Sequence, residues 1–322
     1  MIISDSLFAA TLPDTARLAK RWVVAVSGGS DSLCLTLLAN EYAMVHDVIL
    51  FACFVDHGLR PNSREEIEDV IKALSQFSSI NTKVLVWEHS GDIDGSIELK
   101  ARNARYNLLT KFCQENGIDV LMTAHHALDQ WETFFMRLSR GSALRGLSCI
   151  KPISERSGVK IIRPLLNFAP CDLKETLGSR FGNIGYKHDP MNDQMKFERV
   201  RWRKAYQEIA SKYGLDTKNV NKTIFRLQMA NDCLDQIASH KVSEIYDGQY
   251  IQLKPFKDLH IELRMRILGI ILRVGHLISY DLLLRTADQV CRTDFVATNL
   301  AGYIIRRDRT KNLRIEKENR DH

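Results

Sequence analysis

Through its first half this 322-residue chain alternates short apolar runs with amphipathic stretches of helical length, and that alternation restricts the fold more than any other feature. Residues 23–26 (Val23, Val24, Ala25, Val26) read as a buried strand, followed by Gly28, Gly29 and a helical pattern over residues 31–42. Residues 48–55 form a second strand-like run that ends in Asp56-His57-Gly58. Asn62 or Ser63 can cap the next helix, with Glu65 and Glu66 in its favourable first turn. Residues 83–87 read as a third strand and 96–116 as a helix closed by Gly117; residues 119–123 and 128–139 repeat the pair. A strand over 159–162 precedes a helix opening at Pro170, whose pattern Gly178, Gly182 and Gly185 interrupt. Strands separated by helices of this length need crossover connections, hence a parallel sheet covered by helices on both faces. The expected class is α/β.

Beyond Asp189-Pro190 the pattern changes. A basic helix begins at Phe197, Gly214 offers a boundary, and residues 219–240 open a long helical pattern with short strand-like runs at 250–253 and 302–305. The expected organisation is a domain over residues 1–214 and a smaller, mostly helical one over 215–322; two domains suit this length. The formal charge of +6 is unevenly held. Residues 1–190 carry 21 Lys and Arg against 22 Asp and Glu, and residues 191–322 carry 24 against 17, that is −1 and +7. Such asymmetry points to a polyanionic partner; on charge alone a solvated basic surface is the simpler reading.

Composition excludes several classes. With 45% apolar and 26% charged residues the chain is neither disordered nor low-complexity. No apolar run approaches the ~20 residues of a membrane span. The first residues place acids where a signal peptide has a basic segment, so a cytoplasmic location is expected. Cys34, Cys53, Cys113, Cys149, Cys171, Cys233 and Cys291 are scattered with no C-x-x-C pair, against a disulfide framework or a thiolate metal site.

Chemistry concentrates in Ser27-Gly28-Gly29-Ser30-Asp31-Ser32, directly after the first strand and opening the first helix. Glycines let the backbone approach an anion closely, and the helix-start N–H groups with the Ser27, Ser30 and Ser32 hydroxyls can face phosphate oxygens. Neither a Walker A loop nor a G-x-G-x-x-G fingerprint occurs. Asp31, a carboxylate inside a phosphate cradle, calls for a bridging divalent cation. The stretch His125 to Glu132 follows the fourth strand, at the edge where open α/β sheets bind ligands. Asp129 and Glu132, three apart, share a helix face, with Arg137 and Arg140 one to two turns on. A metal site of His125, His126, Asp129 and Glu132 is conceivable, but consecutive histidines project differently and no further His has metalloprotease spacing, so His126 reads as a structural imidazole. For Asp129 and Glu132 the position at a strand's carboxyl end favours function over a solvated acidic face. Residues 196–204 interleave five basic side chains with Phe197 and Trp202; they can neutralise phosphates and stack a base, or pack Phe197, Val200 and Trp202 inward with arginines outward.

The S-G-G-x-D-S loop resembles the pyrophosphate (PP) loop of the N-type ATP pyrophosphatases. Within them the chain is similar to the tRNA(Ile)-lysidine synthetases. The likeness rests on Asp56-His57-Gly58-Leu59-Arg60 with Asn62-Ser63-Arg64-Glu65-Glu66, Ala101-Arg102-Asn103-Ala104-Arg105-Tyr106, and Thr123 to Thr133. Arg137-Leu138-Ser139-Arg140-Gly141-Ser142, Arg163-Pro164-Leu165-Leu166, Asp189-Pro190-Met191-Asn192-Asp193 and Arg199 to Arg203 complete it in order. Two positions depart: Leu128 stands where the family usually has the first of two acids, and Val200 where it usually has Asn.

The resemblance implies an adenine nucleotide α-hydrolase-like parallel sheet and a two-step ligation. ATP would adenylate the 2-oxo group of the wobble cytidine in the CAU anticodon of tRNA(Ile), and the ε-amine of L-lysine would then displace AMP. It implies ATP on residues 27–32, Mg2+ held by Asp31, and Asp129 or Glu132 holding the lysine ammonium and accepting its proton. At least one of Arg102 and Arg105 would face ATP phosphates or the tRNA backbone, with Arg102 taken as catalytic. Arg137, Arg140, Arg199, Arg201 and Arg203 would contact RNA, with residues 215–322 as a tRNA-contacting domain. The length matches the shorter form of the family, with one domain in the tail. Alternatives are a PP-loop tRNA thiolase, a nucleotide- and tRNA-binding module without turnover, or a small-molecule amide synthetase of the same fold. The oligomeric state stays open, a homodimer being one option.

Overall fold

The computed structural model describes residues 1–59, 62–77, 79–89, 97–182, 184, 198–273, 278–310 and 312–318. Arg60, Ser96, Gly185, residues 189–193, Lys196 and Phe197, all singled out above, lie outside the described residues. The chain forms two compact units, residues 1–142 with 147–224, and residues 143–146 with 225–322. The first unit thus runs past Gly214 to Ile224.

Two short helices, α1 (Asp5–Thr11) and α2 (Asp14–Leu18), precede β1 (Arg21–Val26), α3 (Ser30–Val45), β2 (Ile49–Asp56), α4 (Ser63–Leu74), β3 (Ile80–Val86) and α5 (Ile97–Glu115). Next come β4 (Val120–Met122), α6 (Ala127–Ser139), α7 (Leu144–Leu147), β5 (Ile153–Arg156), β6 (Val159–Ile162), α8 (Pro170–Phe181) and α9 (Glu198–Tyr213). The long α10 (Thr217–Ile245) carries the chain into the second unit.

The first unit is built on a six-stranded sheet of order β3-β2-β1-β4-β6-β5. All neighbours run parallel except β5, which pairs antiparallel with β6. Both faces are covered, as the apolar runs required. Along β1, Trp22, Val24 and Val26 enter a core shared with Leu33, Leu37 and Leu173, while Val23 enters a second core with Leu109, Phe112 and Cys113 of α5. Asn62 is the N-cap residue of α4 but makes no side-chain cap bond; Ser63 Oγ instead donates to Asp56 Oδ1 at 2.8 Å. Gly178 lies inside α8 and does not interrupt it.

The second unit contains β7 (Tyr250–Ile251), α11 (Leu253–Lys257), α12 (Ile261–Ile271), α13 (Tyr280–Gln289), β8 (Ala297–Leu300), β9 (Tyr303–Arg307) and β10 (Leu313–Lys317). Its strands form an antiparallel sheet of order β7-β10-β9-β8, larger than the two strand-like runs suggested, and one face meets the helices around Phe256, Leu268 and Ile305. Arg266, only 3% exposed, is neutralised by Asp235 and Glu262, and Asp235 also binds Arg145 of the segment Ala143–Gly146. Among the described residues no helix is long and apolar enough to cross a membrane.

Candidate active site

From β1 the chain turns to β2 on one side, while β4 pairs with β1 on the other. That reversal makes the carboxyl ends of β1 and β4 the switch point at which open α/β sheets bind ligands. Residues 27–32 leave β1 there, and residues 123–132 leave β4 there.

The first loop is braced by its own hydroxyls. The Ser27 backbone N–H and Ser27 Oγ both donate to Ser32 Oγ at 3.2 Å, and Ser32 Oγ donates to the Gly29 carbonyl at 2.9 Å. Gly28 holds φ +85, a left-handed conformation that favours glycine. Gly29 is the N-cap of α3 and supplies no capping side chain. The first-turn N–H groups and the positive end of the helix dipole are thereby left for an anion. Asp31 lies in that first turn, its side chain 35% exposed, with Ser30 Oγ donating to Oδ1 at 3.4 Å.

The second loop ends in a reciprocal cap. The Asp129 N–H donates to His126 Nδ1 at 3.3 Å, and the His126 N–H donates to Asp129 Oδ2 at 2.9 Å. Because Nδ1 accepts, the ring proton sits on Nε2, which stands 3.6 Å from Asp31 Oδ2. His126 therefore lies between the two carboxylates that the sequence marked, and its structural role is also a place in the site. Burial disfavours its charged form, yet Asp129 and Asp31 outweigh burial and raise its pKa. For Asp129 burial pulls upward, and His126, His125, the His126 N–H and Arg199 outweigh it, so the carboxyl stays ionised. His125, with Nδ1 2.9 Å from Thr123 Oγ1, is pushed down to about 3 by burial, Asp129 pulling against it while Arg163, Arg102 and Arg199 add to the fall.

Asp129 and Glu132 sit in different surroundings. Glu132 is fully buried, and Arg203 Nε binds its Oε1 at 2.7 Å, leaving Oε2 without a hydrogen bond. Burial raises the Glu132 pKa and Arg203 opposes it. In this structure Glu132 is thus enclosed and held by Arg203. Arg203, expected at RNA, is turned inward to Glu132. The aromatic interleaving also packs inward: Trp202 lies 6.1 Å from Trp131 and 5.9 Å from Phe135, and Val200 is buried. Both departures from the family pattern fit this packing, since Leu128 joins the cluster around Trp131 and Val200 is apolar where it is enclosed.

The remaining marked residues are spread around the site. Arg102 is exposed, 5.3 Å from the Tyr106 ring centre, and close enough to weigh on His125. Arg199 and Arg201 are exposed on α9; Arg140 is ion-paired with Glu198, and Arg137 Nη1 reaches the Cys149 carbonyl at 3.5 Å. His126, read above as structural, and Arg163, part of the family likeness, both stand near His125 and Asp129. Arg163 Nη1 is fixed by the Lys151 carbonyl at 2.7 Å and Ser154 Oγ at 3.0 Å. A further cluster lies at the ends of β2 and β3, where Arg105 donates to His57 Nε2 at 3.2 and 3.3 Å and Trp87 meets His57 and His89. Burial, with Arg105, pushes His57 down to about 4. Among the described residues no group of three or more His, Cys, Asp or Glu is placed to hold a metal by itself.

A mostly parallel sheet with an uncapped S-G-G-S-D-S helix start at its switch point defines a nucleotide-binding protein of the PP-loop class. The family model of the PP-loop domain matches residues 5–209, and the chain belongs to that family, among the tRNA(Ile)-lysidine synthases. The enzyme of that name from Wolbachia pipientis wMel is 32% identical over 270 residues, 82% of this chain and 62% of the relative. Those from Orientia tsutsugamushi strain Boryong (36% over 262 residues, 78% and 58%) and Rickettsia bellii strain OSU 85-389 (32% over 301 residues, 90% and 68%) are similar. The chain thus spans about three fifths of the length of the Wolbachia and Orientia relatives. Among solved structures, the U34-tRNA thiolase NcsA from Methanococcus maripaludis, with its 4Fe-4S cluster, matches at TM-score 0.60. That likeness covers 70% of this chain and 78% of the thiolase at 18% identity, and shows a shared fold alone.

Proposed function

We propose that this chain adenylates the wobble cytidine of a CAU-anticodon tRNA(Ile) with ATP and then transfers L-lysine to it, forming lysidine and releasing pyrophosphate and AMP. The observation that carries this assignment is the convergence of Asp31, His126 and Asp129 at the β1–β4 switch point, in a chain related to lysidine synthases. The triphosphate lies against the open start of α3. A single part-exposed carboxylate beside a phosphate cradle fits Mg2+, which takes one or two carboxylates and completes its shell with phosphate oxygens and water. Mg2+ on Asp31 would neutralise charge on the departing pyrophosphate.

The cytidine O2 attacks the α-phosphorus and pyrophosphate leaves. The ε-amine, of ordinary pKa about 10.4, must shed a proton before it attacks C2 and expels AMP with the original oxygen. Asp129 suits the ammonium: it is ionised, and its cap occupies Oδ2, leaving Oδ1 without a hydrogen bond among the described residues. Leu128 packs on the Trp131 cluster, so its replacement of an acid does not remove Asp129 from the site, which favours turnover over a binding module.

The test is pyrophosphate release. ATP with CAU-bearing tRNA(Ile) should release pyrophosphate, Asp31→Asn should abolish it, and Asp129→Asn should retain it while losing lysine transfer. Sulfur transfer, or release that does not depend on tRNA, would favour the alternatives.

A further inference from the structure

We propose that His126 is a positioning residue that fixes the Asp31 carboxylate against the start of α6, setting the direction from which Asp31 meets a divalent cation. A cap needs one acceptor, and Ser, Thr, Asp or Asn supplies it well; histidine is not among the favoured N-caps. Here the ring is 6% exposed and uses both ends: Nδ1 accepts from the Asp129 N–H at 3.3 Å, and Nε2 stands 3.6 Å from Asp31 Oδ2. At that separation the Nε2–H dipole points at the Asp31 carboxylate without a formed hydrogen bond. The ring therefore restrains Asp31 without occupying its lone pairs. Asp31 sits on α3 and the ring's cap partner Asp129 on α6, so a rigid planar spacer links groups from two separate crossovers. Groups that orient a ligating carboxylate from behind control how well it holds its ion.

The two nitrogens can be separated by substitution. Asparagine at 126 retains an acceptor for the Asp129 N–H but has nothing at the Nε2 position. Glutamine reaches toward Asp31 but offers no acceptor at the cap. ATP binding is measured by calorimetry as Mg2+ is varied, with the thermal midpoint of each variant alongside. In His126→Asn the thermal midpoint should stay near that of the unsubstituted protein, while the Mg2+ needed to tighten ATP rises on the order of ten-fold. In His126→Gln the thermal midpoint should fall and the Mg2+ requirement stay close to the original. An unchanged requirement in His126→Asn, or one that follows the thermal midpoint in both variants, overturns the positioning role. The assignment rests on ATP binding at the PP loop; if the unsubstituted protein shows no Mg2+-dependent ATP binding, both that binding and the role of His126 are overturned.

Discussion

Glu132 is completely enclosed, and an enclosed carboxylate at neutral pH must be paired or give up its charge. Arg203 pairs it, from a position 71 residues on. Replacing Arg203 by methionine keeps the bulk and strands the carboxylate, a change expected to destabilise the fold by about 3 kcal/mol at pH 7. The stranded group takes up a proton in the folded state at a higher pH than in the unfolded chain. Stability of Arg203→Met should therefore recover as pH falls from 7 toward 5, the opposite of ordinary acid unfolding, and urea titrations at the two values check it. Asp129 was legible in the sequence because a carboxylate in the first turn after a strand belongs at the sheet's ligand edge. The partner of Glu132 was not, because a pairing across 71 residues leaves no local period. His126 was half legible: adjacency to His125 marked it, but only the fold shows its second nitrogen reaching the PP loop.

The elements of the first unit follow the apolar runs closely where a strand is buried on both faces. Val159–Ile162 forms a strand where it was expected, and the β1, β2 and β4 runs fall within a residue or two of theirs. The edge strand β5 escaped notice because Ile153, Ser154, Glu155 and Arg156 carry only one apolar residue. Its turn was the available signal. Ser157 at φ 52 and Gly158 at φ 78 join β5 to β6 in the two-residue connection that requires positive φ at both positions. Serine tolerates that region less well than asparagine, so Ser157→Asn should raise the thermal midpoint by roughly 2 °C, with ATP binding unchanged. The helices α1 and α2 were not foreseen, since each is under eight residues and too short to show a period.

At the scale of the whole chain, the positive excess belongs less to the tail than the halves of the sequence suggested. Residues 191–224 hold eight Lys and Arg against four Asp and Glu, and residues 225–322 hold 16 against 13. Much of the excess therefore sits on α9 and the start of α10, inside the unit that carries the PP loop. Arg201 and Lys204 are exposed on α9, and phosphate contacts from such groups make affinity fall as salt rises. Replacing both by alanine should weaken tRNA binding and reduce the slope of log affinity against log salt by about two, leaving ATP affinity in place. Filter binding over a range of KCl concentrations measures this. Charge alone did not divide the chain as the packing does, because charge reports surface and the basic residues of 191–224 fall within the PP-loop unit. The most direct measurement is incorporation of labelled lysine into tRNA(Ile) bearing a CAU anticodon, with ATP and Mg2+ present. Incorporation matched by equal amounts of pyrophosphate and AMP, and lost in Asp129→Asn, is the predicted result. Folded protein that binds ATP and tRNA yet transfers no lysine would contradict the account.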